Sequence, residues 1–398
     1  MRQWFGLGTV GIALLVSGCS SSADSGESNY RSGTSDPASH EDGSSSAPPS
    51  SGSDGPGFTI DPSVPAPAEG AGEASGSASS SGTPSPGAPS DSSGGKGAQQ
   101  GQRGVLTAGA WDDNRNFSRF LGYRSGLAAL DLPGLLPITE DELNAAHPLW
   151  MATPTAKPGL DISLIIDTTG SMGDEIAYLQ AEFLTLSQTI AMNHPDAQQR
   201  WSLVLYKDVG DIYVTKPFDF SSNTQDFSSQ LAAVTAGGGG DFPEAPDQAF
   251  TAASQLSWSS PSSTAKLAFW VADAPHHGEK AVAMAEGLRG MSKLGVHVYP
   301  VASSGVDELT EVTMRTAAAL TGGRYLFLTN DSGVGGDHKE PTIPCYFVTK
   351  LDVAIARMVD IELSGVYREP DASEILRTGG DPKDGACQLD SGETVLVF

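Results

Sequence analysis

Between residues 160 and 328, apolar runs recur at 160–166, 201–206, 266–272, 296–302 and 324–328. Strands with so little polar alternation are buried on both faces, a condition met by a parallel sheet covered with helices. The intervening stretches 171–192, 225–234, 244–256, 280–294 and 306–320 place apolar residues at helical spacing. Strand followed by helix, repeated, predicts an α/β fold: a doubly wound, mostly parallel sheet with helices on both faces. A short run at 212–218 is expected to form a strand beside 201–206, and 347–363 to form a last long helix. Such sheets bind ligands beyond the carboxyl ends of their strands, so the polar residues there carry the functional question.

Three loops answer it. Asp167-Thr168-Thr169-Gly170-Ser171 directly follows the first strand. An acid and two hydroxyls at alternate positions put three hard oxygen donors on one turn, and hard oxygens suit magnesium, calcium or manganese. Asp273 follows the apolar strand 266–272, and Asp241 follows the glycine run 237–240. Asp167 could instead cap the helix behind it, but capping does not explain a second acid ending another apolar strand. Asp241 could likewise cap the helix near Glu244. Glu244 is expected to stabilise its own helix start, His276 and His277 to sit on a surface loop, and Tyr206-Lys207-Asp208 to end a strand near the site. No GxSxG, HExxH, Walker-type or dinucleotide signature occurs.

The loops resemble those of the von Willebrand factor type A domain over about 160–363. Its metal-ion-dependent adhesion site uses an Asp-x-Ser-x-Ser loop, a Thr from a second loop and an Asp from a third. Asp167, Thr169 and Ser171 match the first loop, with Thr in place of the central Ser, and Asp273 matches the third. Asp241 stands where the family often has Thr, in a Gly-Gly-Gly-Asp-x-Pro-Glu version that some branches carry. The resemblance implies a divalent ion, Mg²⁺ first and Ca²⁺ or Mn²⁺ next, held by Asp167, Thr169, Ser171, Asp273 and Asp241. It implies protein binding or adhesion through that ion. A metal-assisted hydrolase of envelope material, with His276 or Glu244 as base, and a scaffold with a stabilising metal are the alternatives.

The amino-terminal third reads differently. Arg2, the apolar run 7–16 and small Ser17 and Gly18 have the layout of a secretory signal, too short for an ordinary spanning helix. Val16-Ser17-Gly18-Cys19 resembles a bacterial lipobox, which implies cleavage before Cys19 and its acylation; Ser20 then suggests the outer membrane. Residues 20–104 are Ser, Gly, Pro and Ala with few large apolar side chains, so nothing there offsets the entropy of folding. As a flexible tether, 19–104 would span roughly 50 Å. The expected division is signal 1–18, tether 19–104, an accessory flank 105–159, the main domain 160–363 and a flank 364–398.

The chain carries a net charge of −25, and its tether holds only three bases against ten acids. That balance disfavours nucleic acid and leaves cations or proteins as partners, besides the membrane reached through the anchor. Of three cysteines, Cys345 and Cys387 lie in the folded part of an exported chain, where pairing competes with two separate thiols. Thr139 with Glu142 is expected to open a capped helix, and 393–398 to form a strand. The two flanks are expected to pack together as a small subdomain.

Overall fold

A computed structural model describes residues 105–151, 157–260, 263–333 and 337–397, all within the compact unit Asp91–Phe398. The signal, Cys19 and the tether lie outside the described residues. In chain order the elements are β1 (Thr107–Trp111), α1 (Phe117–Ala129), α2 (Glu140–Trp150), β2 (Gly159–Asp167), α3 (Gly173–Asn193), β3 (Gln198–Tyr206), β4 (Thr215–Ser221), α4 (Thr224–Ala232), α5 (Pro246–Ser254) and β5 (Thr264–Ala272). They continue with α6 (Ala281–Lys293), β6 (His297–Ala302), α7 (Glu308–Thr321), β7 (Tyr325–Thr329), β8 (Tyr346–Lys350), α8 (Leu351–Ser364), β9 (Arg377–Gly379), β10 (Ala386–Gln388) and β11 (Thr394–Leu396).

The sheet runs β4-β3-β2-β5-β6-β7-β1-β8-β9. Strands β3, β2, β5, β6 and β7 are parallel neighbours, while β4 and β1 run antiparallel to theirs. The side-chain period of two sorts β2 between two cores. Leu160, Ile162, Leu164 and Ile166 face α3, α4 and α8, whereas Ile165 faces the layer containing α1, α2, α5, α6 and α7. Both faces of the sheet are therefore covered, as the apolar runs require.

Two expectations change. Residues 347–350 belong to β8, and the last helix begins only at Leu351. The aromatic and β-branched run Tyr346-Phe347-Val348-Thr349 has strand propensity, and a short apolar run does not separate the two periods. The flank 105–159 is also no accessory. Its β1 lies between β7 and β8 in the main sheet, and Phe120 and Leu143 join the same core as Ile165 and Trp270. The tail extends that sheet through β9 and closes over Trp111, Phe347 and Val395. Asn116 joins the two flanks, donating to Leu396 O at 2.8 Å and accepting from its N–H at 2.9 Å. A disulfide joins Cys345 to Cys387, with Cα atoms 6.2 Å apart. On the flank, Thr139 and Glu142 form a reciprocal capping box at the start of α2.

Candidate functional site

The site lies at the carboxyl ends of β2 and β5, adjacent parallel strands. Asp167 is the last residue of β2 and is fully buried. Its Oδ1 accepts from the Thr169 N–H at 2.9 Å and from the Thr169 hydroxyl at 2.7 Å. Loop capping thus occupies one oxygen. The other, Oδ2, is buried without a hydrogen-bond partner. Across the crevice Asp273 follows β5, takes a hydrogen bond from Ser171, and likewise leaves Oδ1 buried and unpartnered.

The glycine run is laid along the first loop. Gly170 N donates to Gly238 O and Gly237 N to Thr168 O, both at 3.1 Å. Gly237, Gly238 and Gly239 all have positive φ, which side chains resist. At Gly239 a Cβ would lie 3.0 Å from Glu244 Oε1 and 3.1 Å from Thr169 Cβ, so Glu244 and Thr169 face the same narrow gap. Lys207 ties the two loops together by donating its Nζ to Thr168 O and Gly237 O. Its neighbour Asp208 pairs with His277 at 2.7 Å.

Asp241, Ser171, Glu244 and Asp273 line one cleft of about 450 Å³, with Phe242, Ser304 and Asp337. Asp241 is exposed at its rim, while Thr169 is buried beside Asp167. The structure therefore brings all five sequence-selected residues to one end of the sheet. Two further acids, Glu244 and Glu175, stand at the same end of the sheet. Glu244 does not serve its helix: α5 begins at Pro246 with Asp247 in its first turn. The Glu244 carboxyl is buried instead and leaves Oε2 unpartnered. Glu175 is also buried, accepts from Ser304 Oγ at 3.2 Å, and leaves Oε2 unpartnered. Its signal in the sequence was its place four residues beyond Ser171, one helical turn on.

These carboxyls raise one another. Burial pushes Asp167 up to about 7, against the opposing influence of Thr169 and, more weakly, of the Tyr206 hydroxyl, and with Asp273 adding to the rise. Burial, then the charges of Asp167, Asp208, Asp211 and Asp273, pushes Glu244 up to about 9. Burial raises Asp273 and Glu175 as well. Clustered, desolvated carboxyls disfavour their own ionisation until a positive charge joins them. His276 is not on a surface loop: its ring is fully buried and Nε2 is 2.9 Å from Gly134 O. Among the described residues no three His, Cys, Asp or Glu side chains are grouped to hold a metal. Any cation here would rest on hydroxyls together with two carboxylates, a set of hard oxygens.

Residues 161–298 match the family model described as von Willebrand factor A domain. The chain is 28% identical over 139 residues to alpha-protein kinase vwkA of Dictyostelium discoideum, which covers 34% of this chain and 22% of that one. It is 30% identical over 118 residues to the ariadne-like RING finger protein R811 of Acanthamoeba polyphaga mimivirus, over 30% of this chain and 11% of that one. It thus spans less than a quarter of the length of either relative. A solved structure, the conserved hypothetical protein BatB from Bacteroides thetaiotaomicron, aligns over 51% of this chain and 98% of its own at 12% identity, with a TM-score of 0.34. With the loops, the mostly parallel sheet and the family match in place, residues 161–298 are a von Willebrand factor A domain.

Proposed function

We propose that this chain is a binding module whose domain grips another protein in a divalent-cation-dependent way. Asp167 and Asp273 would hold the ion with Thr169 and Ser171, and Asp241 would stand at its rim. The observation that carries this reading is the pair of buried oxygens, Asp167 Oδ2 and Asp273 Oδ1, left without partners on adjacent strands. Leaving such atoms unmatched costs about 1–3 kcal/mol each, and a hard cation matches both. When bound, the ion supplies a Lewis-acidic centre for a ligand oxygen. The protein's own part is to fix the loops: Thr169 braces Asp167, Ser171 braces Asp273, and Lys207 locks the glycine run against them.

Calorimetry with Mg²⁺, Ca²⁺ and Mn²⁺ tests the reading. The unmodified protein is expected to bind at least one of them, and an Asp167→Ala, Asp273→Ala double variant none; retained affinity in that variant rejects the site. We further propose that the domain is displayed on a tether from an acylated Cys19 in a bacterial outer membrane, on the strength of the Val16-Ser17-Gly18-Cys19 motif and the Ser/Gly/Pro-rich segment behind it. A Cys19→Ser protein should leave the membrane fraction; if it stays there, the anchor is elsewhere.

A further inference from the structure

We infer that the face around this cleft docks a basic partner segment, one Lys or Arg flanked by apolar residues. This rests on the reading of the cleft as a binding site, and it names the chemistry of the partner that site would take. Four acids, Asp241, Glu244, Asp273 and Asp337, line the cleft, and no Lys or Arg stands among its lining residues. Asp167 and Glu175 lie buried against the same cluster. Two of these acids show that the cluster is more than a solvated acidic surface. Glu244 is 3% exposed and Asp273 5% exposed, and each keeps a buried oxygen without a partner.

One divalent cation between Asp167 and Asp273 would cancel two of these charges. Asp241 and Asp337 would remain on its open side, while Lys207, held by Thr168 O and Gly237 O, faces Glu244 from behind the loops. A partner carboxylate entering there meets like charge and an ion already served by acids, whereas a guanidinium or ammonium gains at each of them. The rim supplies the apolar half of the match. Phe242 lines the cleft and is 46% exposed. Ile212, 91% exposed, lines a neighbouring cleft with Lys207, Asp211 and Gly238 and is not part of this rim. An aromatic side chain left open beside a charged cleft suits an interface, where aromatic residues are enriched.

Two fluorescent peptides, acetyl-Leu-Arg-Phe-amide and acetyl-Leu-Asp-Phe-amide, titrated into the folded protein in Mg²⁺ decide the matter. The Arg peptide is expected to bind at least tenfold more tightly than the Asp peptide, and to weaken as salt is raised. A Phe242→Ser, Asp337→Asn variant should lose at least fivefold for the Arg peptide while its Mg²⁺ calorimetry stays unchanged. Equal or tighter binding of the Asp peptide overturns the inference, as does binding of neither peptide by protein that takes up Mg²⁺. If no cation binds but the Arg peptide still does, the cation reading falls and the basic-partner inference stands.

Discussion

The two ends of the sheet bury acids in opposite ways. At the amino end, Arg324 meets Asp112 at 2.9 Å. Glu362 takes His297 at 2.7 Å and the Tyr299 hydroxyl at 2.5 Å. Nearby Asp113 is paired with Arg315 at 2.7 Å, and Asp161 with Arg200 at 2.7 Å. At the carboxyl end Asp167, Asp273, Glu175 and Glu244 are as deeply buried, yet each keeps an oxygen with no partner. Folding alone explains the first arrangement, since buried charges persist when matched. The second costs stability and gains nothing within the chain, which is what a site reserved for an external charge looks like.

Breaking the matched end should produce the largest loss. Arg324→Leu strands Asp112 and leaves Glu362 without a base it now faces, and it is expected to cost about 3–5 kcal/mol in urea unfolding. A loss under about 1 kcal/mol would mean the cluster is not matched as described. The acid limb of stability comes next. Burial works to raise Glu362, but His297, Arg324 and Tyr299 outweigh it and hold the carboxyl at about 2. Because this lies below its unfolded value, the stabilisation is full above about pH 4.5 and is lost as pH falls toward 2. It amounts to something on the order of 3 kcal/mol, and a Glu362→Gln variant should show a much flatter decline between pH 5 and 3. The smallest effect, of opposite sign, belongs to the unmatched end. In chelator at pH 8, Asp167→Asn should leave stability unchanged or raise it by about 1 kcal/mol. A loss comparable to that of Arg324→Leu would erase the contrast between the ends.

Much of the parallel core was legible because its strands are buried on both faces and so announce themselves as unbroken apolar runs. The strand β1 was not. Its Thr-Ala-Gly-Ala-Trp sequence has weak strand propensity, and Gly109 is there because a Cβ would meet the Phe327 ring at 2.2 Å. That need arises from the neighbouring strand and leaves no periodic mark. The same holds for Glu244 and His276. Their spacing suggested a helix start and a surface loop, while a parallel bridge between them and the contact to Gly134 draw both inward.

The amino-acid sequence by itself determined the strand–helix alternation, the three polar loops in their order and the excess of acid, since each depends on local composition and period. The tertiary structure alone decided which acids are matched and which are not. Pairing joins residues far apart in the chain, as Asp113 with Arg315 and Asp112 with Arg324, and only the packed sheet brings a base to one carboxylate and withholds it from another.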